Sequence, residues 1–444
     1  MINWKKHRKK IIWSSILCLL ILALVYVYKR FPVITAYAAK NVCSCIFVAE
    51  REEQDVLDNE LQFSFIKYAN VTVDYKNKSV TANLMGLGDK TAYYHPTKGC
   101  AILNKNQKKD FFKNSYALPP VIYSELPTLP DSLNTNYTAI QNVISEHFID
   151  TDLKKPFGAR AVVVLHKGKI IGELYSEGFD KNSKQLGWSM TKSIFNAMIG
   201  IAIQQKQIKG LDQNKLFSSW TDERSDISVK NLLQMNSGLN WKEDYTNLSG
   251  ATIMLYNQDN MVAYAADQPL EATIGEHWEY SSGTSNLLSG LLRKVIDNDS
   301  IYLQYPYSQL FNKIGAGSFR LETDATDNFV ASSYAWATAR DWAKFGQLFL
   351  QDGNWNGEQI LPTDWSKFTA EEANGSKGSY GAQFWLPLEK EYPNSPRDMY
   401  FADGFQGQRI FIIPSEELVI VRLGLTRFDQ PNYDALVSEI VKLL

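Results

Sequence analysis

An α/β sandwich carrying an all-helical insertion is the fold class that three features of the sequence predict. Ala161-Val162-Val163-Val164-Leu165 and residues 170–175 flank the turn His166-Lys167-Gly168-Lys169, a strong hairpin pattern. A helix pattern over 189–205 opens a mostly helical stretch that runs to about residue 300. The chain then closes with β-prone runs at 410–413 and 418–421 and a helix pattern from about 433 to 444.

The bulk composition agrees with a globular enzyme-sized chain. Its 444 residues, 45% hydrophobic and 21% charged, suit one large domain with appendages. A net charge of −2 and the lack of a long basic stripe beyond the extreme N-terminus give no reason to expect nucleic acid as a partner.

Residues 1–30 are expected to be a cytoplasmic leader and a transmembrane anchor. Lys5, Lys6, Arg8, Lys9 and Lys10 precede an uncharged run over 11–28, and Lys29 and Arg30 follow it. At 1.5 Å per residue that run spans about 27 Å, enough to cross a bilayer core. The basic cluster favours a cytoplasmic N-terminus, which puts the rest of the chain on the exterior or periplasmic side of a bacterial cell membrane. Cleavage near Ala36-Tyr37-Ala38, with release of the remainder, is the alternative. Cys18 lies within the run, so Cys43, Cys45 and Cys100 would face an oxidising compartment. One pair can form among them, Cys100 with either Cys43 or Cys45. Their spacing fits no common zinc pattern and no histidine stands at ligand distance, so no metal is expected.

Residues 31–134 read as a β-rich extension and a proline-containing linker. The β-prone runs 71–75 and 79–84 flank the turn Lys76-Asn77-Lys78. Pro119, Pro120, Pro127 and Pro130 exclude a regular helix and mark a boundary or a strap across a surface. Residues 135–444 form the second organisation, which begins with a helix pattern over 139–148. Within it Thr338-Ala339-Arg340-Asp341 resembles a capping box. Trp342, Phe345, Leu348 and Phe349 follow as an apolar face, and Gly353 ends the helix.

Chemistry concentrates at Ser189-Met190-Thr191-Lys192. On a helix, residues three apart share a face, so Lys192 can take the Ser189 proton or hold a neighbouring base in its reactive state. A serine at a helix start also sits among free backbone N–H groups and the positive dipole end, which favour developing negative charge. The motif is weak alone: one or two matches are expected by chance in roughly this length. Ser64-Phe65-Ile66-Lys67 is such a match, in a segment that reads as strand, where alternation separates the two side chains. A helix N-cap is the commoner role for a serine at Ser189's position.

The surrounding segments separate Ser189 from coincidence. Gly187-Trp188-Ser189-Met190-Thr191-Lys192-Ser193, before an apolar helix, resembles the active-site start of the serine β-lactamase and penicillin-binding-protein superfamily. The resemblance is closest to the class C β-lactamase-like branch, which includes esterases and 6-aminohexanoate-dimer hydrolase. Residues 227–239 resemble the stretch after the active-site helix, Trp278-Glu279-Tyr280-Ser281-Ser282-Gly283 the second box, and 337–365 the helix-and-turn segment of that branch.

The likeness covers about 160 to 444. It implies a β-lactamase-like sandwich of an antiparallel sheet flanked by helices, with an all-helical subdomain, which the expected transmembrane helix and small β-rich extension precede. It further implies Ser189 as nucleophile and Tyr280 with Lys192 as the proton-handling pair. The nearby cation would lower the phenol below its usual pKa near 10. The backbone N–H groups of Ser189 and Phe405 would form the oxyanion hole.

The third box departs from the pattern. Ala402-Asp403-Gly404 has alanine where relatives carry Lys or His, and Ser282 replaces the asparagine usual in β-lactamases. Arg409 is a nearby substitute cation, with an exposed strand position as its blander explanation. A linear amide or ester is therefore favoured over a β-lactam. Ser282, Tyr380, Trp385, Gly404 and Gln408 are the candidate substrate contacts, with Phe384 beside them. No cofactor is expected, and the partner is a small-molecule or short peptide-like substrate.

Competing chemistries have less support. Of five histidines, His7, His95, His147 and His166 stand outside any motif, and His277 is three residues from Tyr280. Thr191 replaces the second glycine of a Gly-x-Ser-x-Gly elbow. The remaining alternatives are a slow-acylating β-lactam- or peptide-binding sensor, and a β-lactamase or D-aminopeptidase-type peptidase.

Overall fold

The computed structural model describes residues 11–18, 30–104, 107–113, 116–129, 136–149, 157–427 and 431–444. Residues 19–29 of the expected anchor lie outside these. Residues 11–18 are helical with exposed side chains, and no helix among the described residues is long and apolar enough to cross a membrane. The alternative cleavage site Ala36-Tyr37-Ala38 is buried inside a helix.

That helix, α1 (Phe31–Phe47), corrects the expectation that the extension over 31–134 is β-rich from its start. Proline at its first turn fixes a helical φ where no N–H partner is needed. Every residue from Thr35 to Ile46 is buried, so the helix shows no polar face and no 3.6-residue alternation to reveal it. It packs on an antiparallel sheet in simple sequential order, β1 (Ala69–Asp74), β2 (Ser79–Leu84), β3 (Leu87–His95) and β4 (Gly99–Ile102). The expected turn at 76–78 joins β1 to β2, with Asp74 opposite Ser79. Cys43 of α1 is disulfide-bonded to Cys100 of β4, and Cys45 is a buried free thiol. Ser64 lies in a 3₁₀ turn (Ser64–Tyr68) with φ of +50°, not in the strand the sequence suggested.

The extension is keyed into the rest of the chain through buried charge. Lys40 lies 2.8 Å from the Glu322 carboxylate, which also accepts from Ser44 Oγ at 3.0 Å, the Cys100 N–H at 2.6 Å and Trp336 Nε1 at 2.8 Å. Residues 121–129 then cross the surface as an extended strap. The Ser124 N–H bonds the Gly315 carbonyl at 3.0 Å, and Leu129 and Pro127 pair with Ile170.

The larger unit begins with α2 (Tyr137–Glu146) and the hairpin β5 (Ala159–His166) and β6 (Lys169–Tyr175). Next come α3 (Met190–Gln204), α4 (Ser282–Ile296) and α5 (Ala339–Leu350), and then β7 (Tyr400–Gly404), β8 (Gln408–Ile413), β9 (Leu418–Gly424) and α6 (Tyr433–Val441). The five strands form one antiparallel sheet in the order β7-β8-β9-β5-β6. Alternation along the strands supplies two apolar faces. Val162, Val164, Phe411 and Ile420 meet α2 and α6, whereas Val163, Leu165, Ile410 and Val419 belong to the core shared with α3 and α5. Gly346 lets α5 approach this second face, where a Cβ would fall 2.7 Å from Val419.

The stretch 205–281, expected to be mostly helical, is largely loop. Its short helices Val229–Leu233, Gly250–Asn257 and Met261–Ala266 are each capped by a side chain, from Ser228, Ser249 and Asn260. The Thr338 hydroxyl does cap α5, accepting from the Asp341 N–H at 3.2 Å. Asp341 does not return that bond, however, and instead accepts from Ser318 N and Oγ at 2.8 and 2.6 Å.

Candidate active site

Ser189 sits at the N-cap of α3, yet its hydroxyl makes no capping bond. The purely structural role open to such a serine is thus unfilled. The residue before it, Trp188, has φ of +48°, a conformation costly for a side chain of this bulk. Surrounding contacts hold it there: its indole N–H donates to Gln406 Oε1 at 3.1 Å, and its carbonyl accepts from Thr191 Oγ1 at 2.7 Å. Gly404, at the end of β7, presses on the same turn, where a Cβ would lie 2.2 Å from the Gly187 carbonyl. This close approach brings Phe405 beside Ser189, with its ring 5.6 Å from that of Trp188.

Lys192 is 1% exposed and uses all of its ammonium donors. It donates to Ser189 Oγ at 3.2 Å, Ser282 Oγ at 3.0 Å and the Ser332 carbonyl at 3.0 Å. Burial lowers its pKa to about 8, against the opposing pull of Glu243 and Asp403. A fraction of the amine is therefore neutral near physiological pH, with a lone pair able to accept a proton.

Tyr280 hydrogen-bonds Ser189, but its titration runs opposite to the sequence expectation. Burial, and next the charge of Glu243, push the phenol well above its ordinary value, and the Ser189 bond only partly offsets this. The reason is geometric. Lys192 Nζ lies over the face of the ring, 5.0 Å from its centroid, and its three N–H groups go to other acceptors rather than to the phenol oxygen. Tyr280 is a phenol here, not a phenolate.

Glu243 is the group that sequence reasoning missed. Its carboxylate accepts from Ser282 Oγ at 2.5 Å, the Ser282 N–H at 2.9 Å, Tyr245 OH at 2.6 Å and Trp241 Nε1 at 2.5 Å. A continuous chain therefore runs from Ser189 through Lys192 and Ser282 to a carboxylate. The only signal in the sequence was the acidic and aromatic run Trp241-Lys242-Glu243-Asp244-Tyr245, which stands at no motif spacing from Ser189.

The remaining candidates divide. Tyr380 and Trp385 pack against Tyr280, with ring centroids 5.9 and 5.2 Å from it. Phe384 is fully buried against Phe349 and Tyr400. The Gln408 side chain is occupied by backbone partners. Its amide donates to the carbonyls of Phe405, Gln406 and Gly424, and its oxygen accepts from the Gly424 N–H, so it braces the strand ends. Arg409 is neither exposed nor a substitute cation, being 8% exposed and bound to the Asp403 carboxylate and to the Gly404 and Gln408 carbonyls. Ala402 is fully buried, and Asp403 is the charged residue of the third box near Lys192. His277 is exposed and lies 3.9 Å from Glu279. Among the described residues no cluster of His, Cys, Asp and Glu could hold a metal.

Ser189 also borders a cavity of about 340 Å³ with a mostly apolar lining. Trp188, Phe405, Leu255 and Tyr256 contribute from the larger unit, and Tyr37, Phe63, Phe65 and Ile66 from the extension.

A family model described as Beta-lactamase matches residues 153–435. The 6-aminohexanoate-dimer hydrolase of Paenarthrobacter ureafaciens is 22% identical over 295 residues, covering 60% of this chain and 72% of that protein. A Bacillus anthracis structure provisionally named a 6-aminohexanoate-dimer hydrolase superposes with a TM-score of 0.59 at 18% identity, over 76% of this chain and 93% of the other. A family VIII carboxylesterase gives 0.56 at 16% identity, over 72% of this chain and 99% of the other. At these identities the structural likenesses speak for the fold, whereas the family model spans more than half the sequence. The chain belongs to the beta-lactamase family and is a serine hydrolase.

Proposed function

We propose that the enzyme cleaves a linear amide or ester through an acyl-enzyme, with Ser189 as nucleophile and Lys192 as general base. The observation that carries this reading is the buried Lys192 amine, 3.2 Å from Ser189 Oγ and with a pKa lowered to about 8. Neutral Lys192 takes the Ser189 proton as Oγ bonds to the carbonyl carbon. The N–H groups of Ser189 and Phe405 hold the resulting oxyanion. Collapse breaks the bond to the leaving group, which takes its proton from the Lys192 ammonium, while the Tyr280 phenol, hydrogen-bonded to Ser189, positions Oγ. Water repeats the sequence on the acyl-enzyme, with Lys192 accepting its proton and Ser189 Oγ leaving.

The third box supports a substrate without a carboxylate, because Ala402 stands at the basic position and Arg409 is already paired with Asp403, which leaves no cation there for the carboxylate that β-lactams carry. The basic leader and apolar run at 1–30 support a single-pass anchor with the catalytic unit outside the cytoplasm, and the Cys43–Cys100 disulfide suits such an oxidising compartment. A fluorophosphonate probe tests the chemistry. Wild type is expected to label and to turn over simple esters, and Ser189→Ala to do neither; labelling that survives in Ser189→Ala would refute the assignment.

A further inference from the structure

The cavity beside Ser189 has two properties that bear on the substrate. Its wall contains the nucleophile, and its lining is dominated by Val33, Ile34, Tyr37, Phe63, Leu248 and Phe405. Tyr37 stacks on Trp188 with centroids 6.2 Å apart and meets Phe63 edge-on at 5.6 Å, so the extension and the nucleophile turn share one aromatic wall. Phe65 and Phe405 stand 65% and 49% exposed at this cavity, an unusual position for rings that nothing covers. Arg30 also borders it, hydrogen-bonding Asn247 at 3.2 Å. A cavity of about 340 Å³ lies within the range of small-ligand sites.

We infer that this cavity binds a medium-to-long aliphatic chain of the ester or amide, so that the extension over 30–66 sets the enzyme's chain-length preference. The inference rests on Ser189 being the nucleophile. A short acyl group would leave the apolar lining in contact with water, whereas each methylene added in contact with that lining is worth about fourfold in binding. The part of that gain kept in the transition state enters kcat/KM.

The test uses the full chain in detergent and p-nitrophenyl esters from acetate to decanoate, each below its micelle concentration. The expected result is a kcat/KM that rises at least about tenfold from acetate to octanoate. A flat or falling profile would overturn the inference. Ile34→Trp, which narrows the cavity from a partly exposed position, is expected to lower the octanoate-to-acetate ratio at least about fivefold. An unchanged ratio would overturn it. Should that variant fail to fold, Phe65→Asp places a charge at an exposed cavity position and is expected to lower the same ratio. Offering the octanoyl chain as a dispersed ester and within phosphatidylcholine vesicles distinguishes a free substrate from a bilayer one, and the preference for the longer chain is required in the faster of the two. Loss of both fluorophosphonate labelling and acetate turnover would remove the nucleophile assignment. Labelling and acetate turnover with a flat profile would remove this inference alone.

Discussion

The two sides of the Ser189 cleft differ in origin as much as in chemistry. One side is polar and comes wholly from the larger unit: Lys192 from α3, Ser282 from the start of α4, and Glu243 from the loop between short helices. The other is apolar, and much of it comes from α1 and the turn after it, a segment outside the matched family region. The contrast separates two problems an acyl-transfer enzyme must solve. Proton handling needs groups fixed to a few tenths of an ångström, which a helix start and buried hydrogen bonds supply. Chain recognition needs only apolar area in the right place, which an added helix can supply without disturbing the first.

The largest effects belong to the polar side. Ser189→Ala and Lys192→Met are each expected to lower kcat/KM on an activated ester by about 10³-fold or more. If the two residues act as a unit, as proposed, the double variant should be little worse than either single one, measured by steady-state turnover and probe labelling. A double variant that loses the product of the two effects would show that Lys192 and Ser189 act independently.

On the apolar side the matching perturbation is structural. Lys40→Met leaves the buried Glu322 carboxylate without its cation and is expected to cost about 3–5 kcal/mol. Breaking the Cys43–Cys100 link, which closes a 57-residue separation, is expected to cost about 4 kcal/mol at most. Urea unfolding of the variants and of the reduced protein measures both. Midpoints unchanged by either would mean that the extension packs independently of these links.

The same contrast explains what the sequence could reveal. Ser189, Lys192, Tyr280 and Ser282 were legible because the helix start and the second box carry short, ordered motifs. The hairpin and closing strands were legible from β-branched runs bounded by turns, and the structure joins them in one sheet. α1 was not legible, since a helix buried on all sides has no amphipathic period and its residues are partly β-branched. Glu243 escaped for a different reason. Its importance lies in a hydrogen bond to Ser282, 39 residues away, and a loop residue has no periodicity to announce it. Tyr280 was found but its titration was misjudged, because proximity to Lys192 says nothing about whether the cation meets the oxygen or the ring face.

Smaller effects sharpen the polar side. With Lys192 acting as the neutral base, kcat/KM should be low where it is protonated and rise as pH passes about 8. Glu243 favours the charged form of Lys192, so Glu243→Gln removes a cation-stabilising charge and should move this limb to lower pH. The same variant loosens the Ser282 bond, and about tenfold lower kcat/KM at high pH is expected. A limb that stays in place while activity falls would reduce Glu243 to a scaffold for Ser282.

The smallest expected effect is the one that discriminates most between mechanisms. A serine–histidine reading would have to use His277, the histidine nearest Tyr280 in sequence, and its ring is largely exposed and 3.9 Å from Glu279. His277→Ala should therefore leave ester turnover within about twofold of wild type and leave the pH limb unmoved, since substitutions at exposed positions are usually worth no more than about 0.5 kcal/mol. A loss of 10²-fold or more would be of the size that general-base removal produces. It would mean that the loop carrying His277 folds over Ser189 during turnover, and that the buried lysine orders the site rather than accepting the proton.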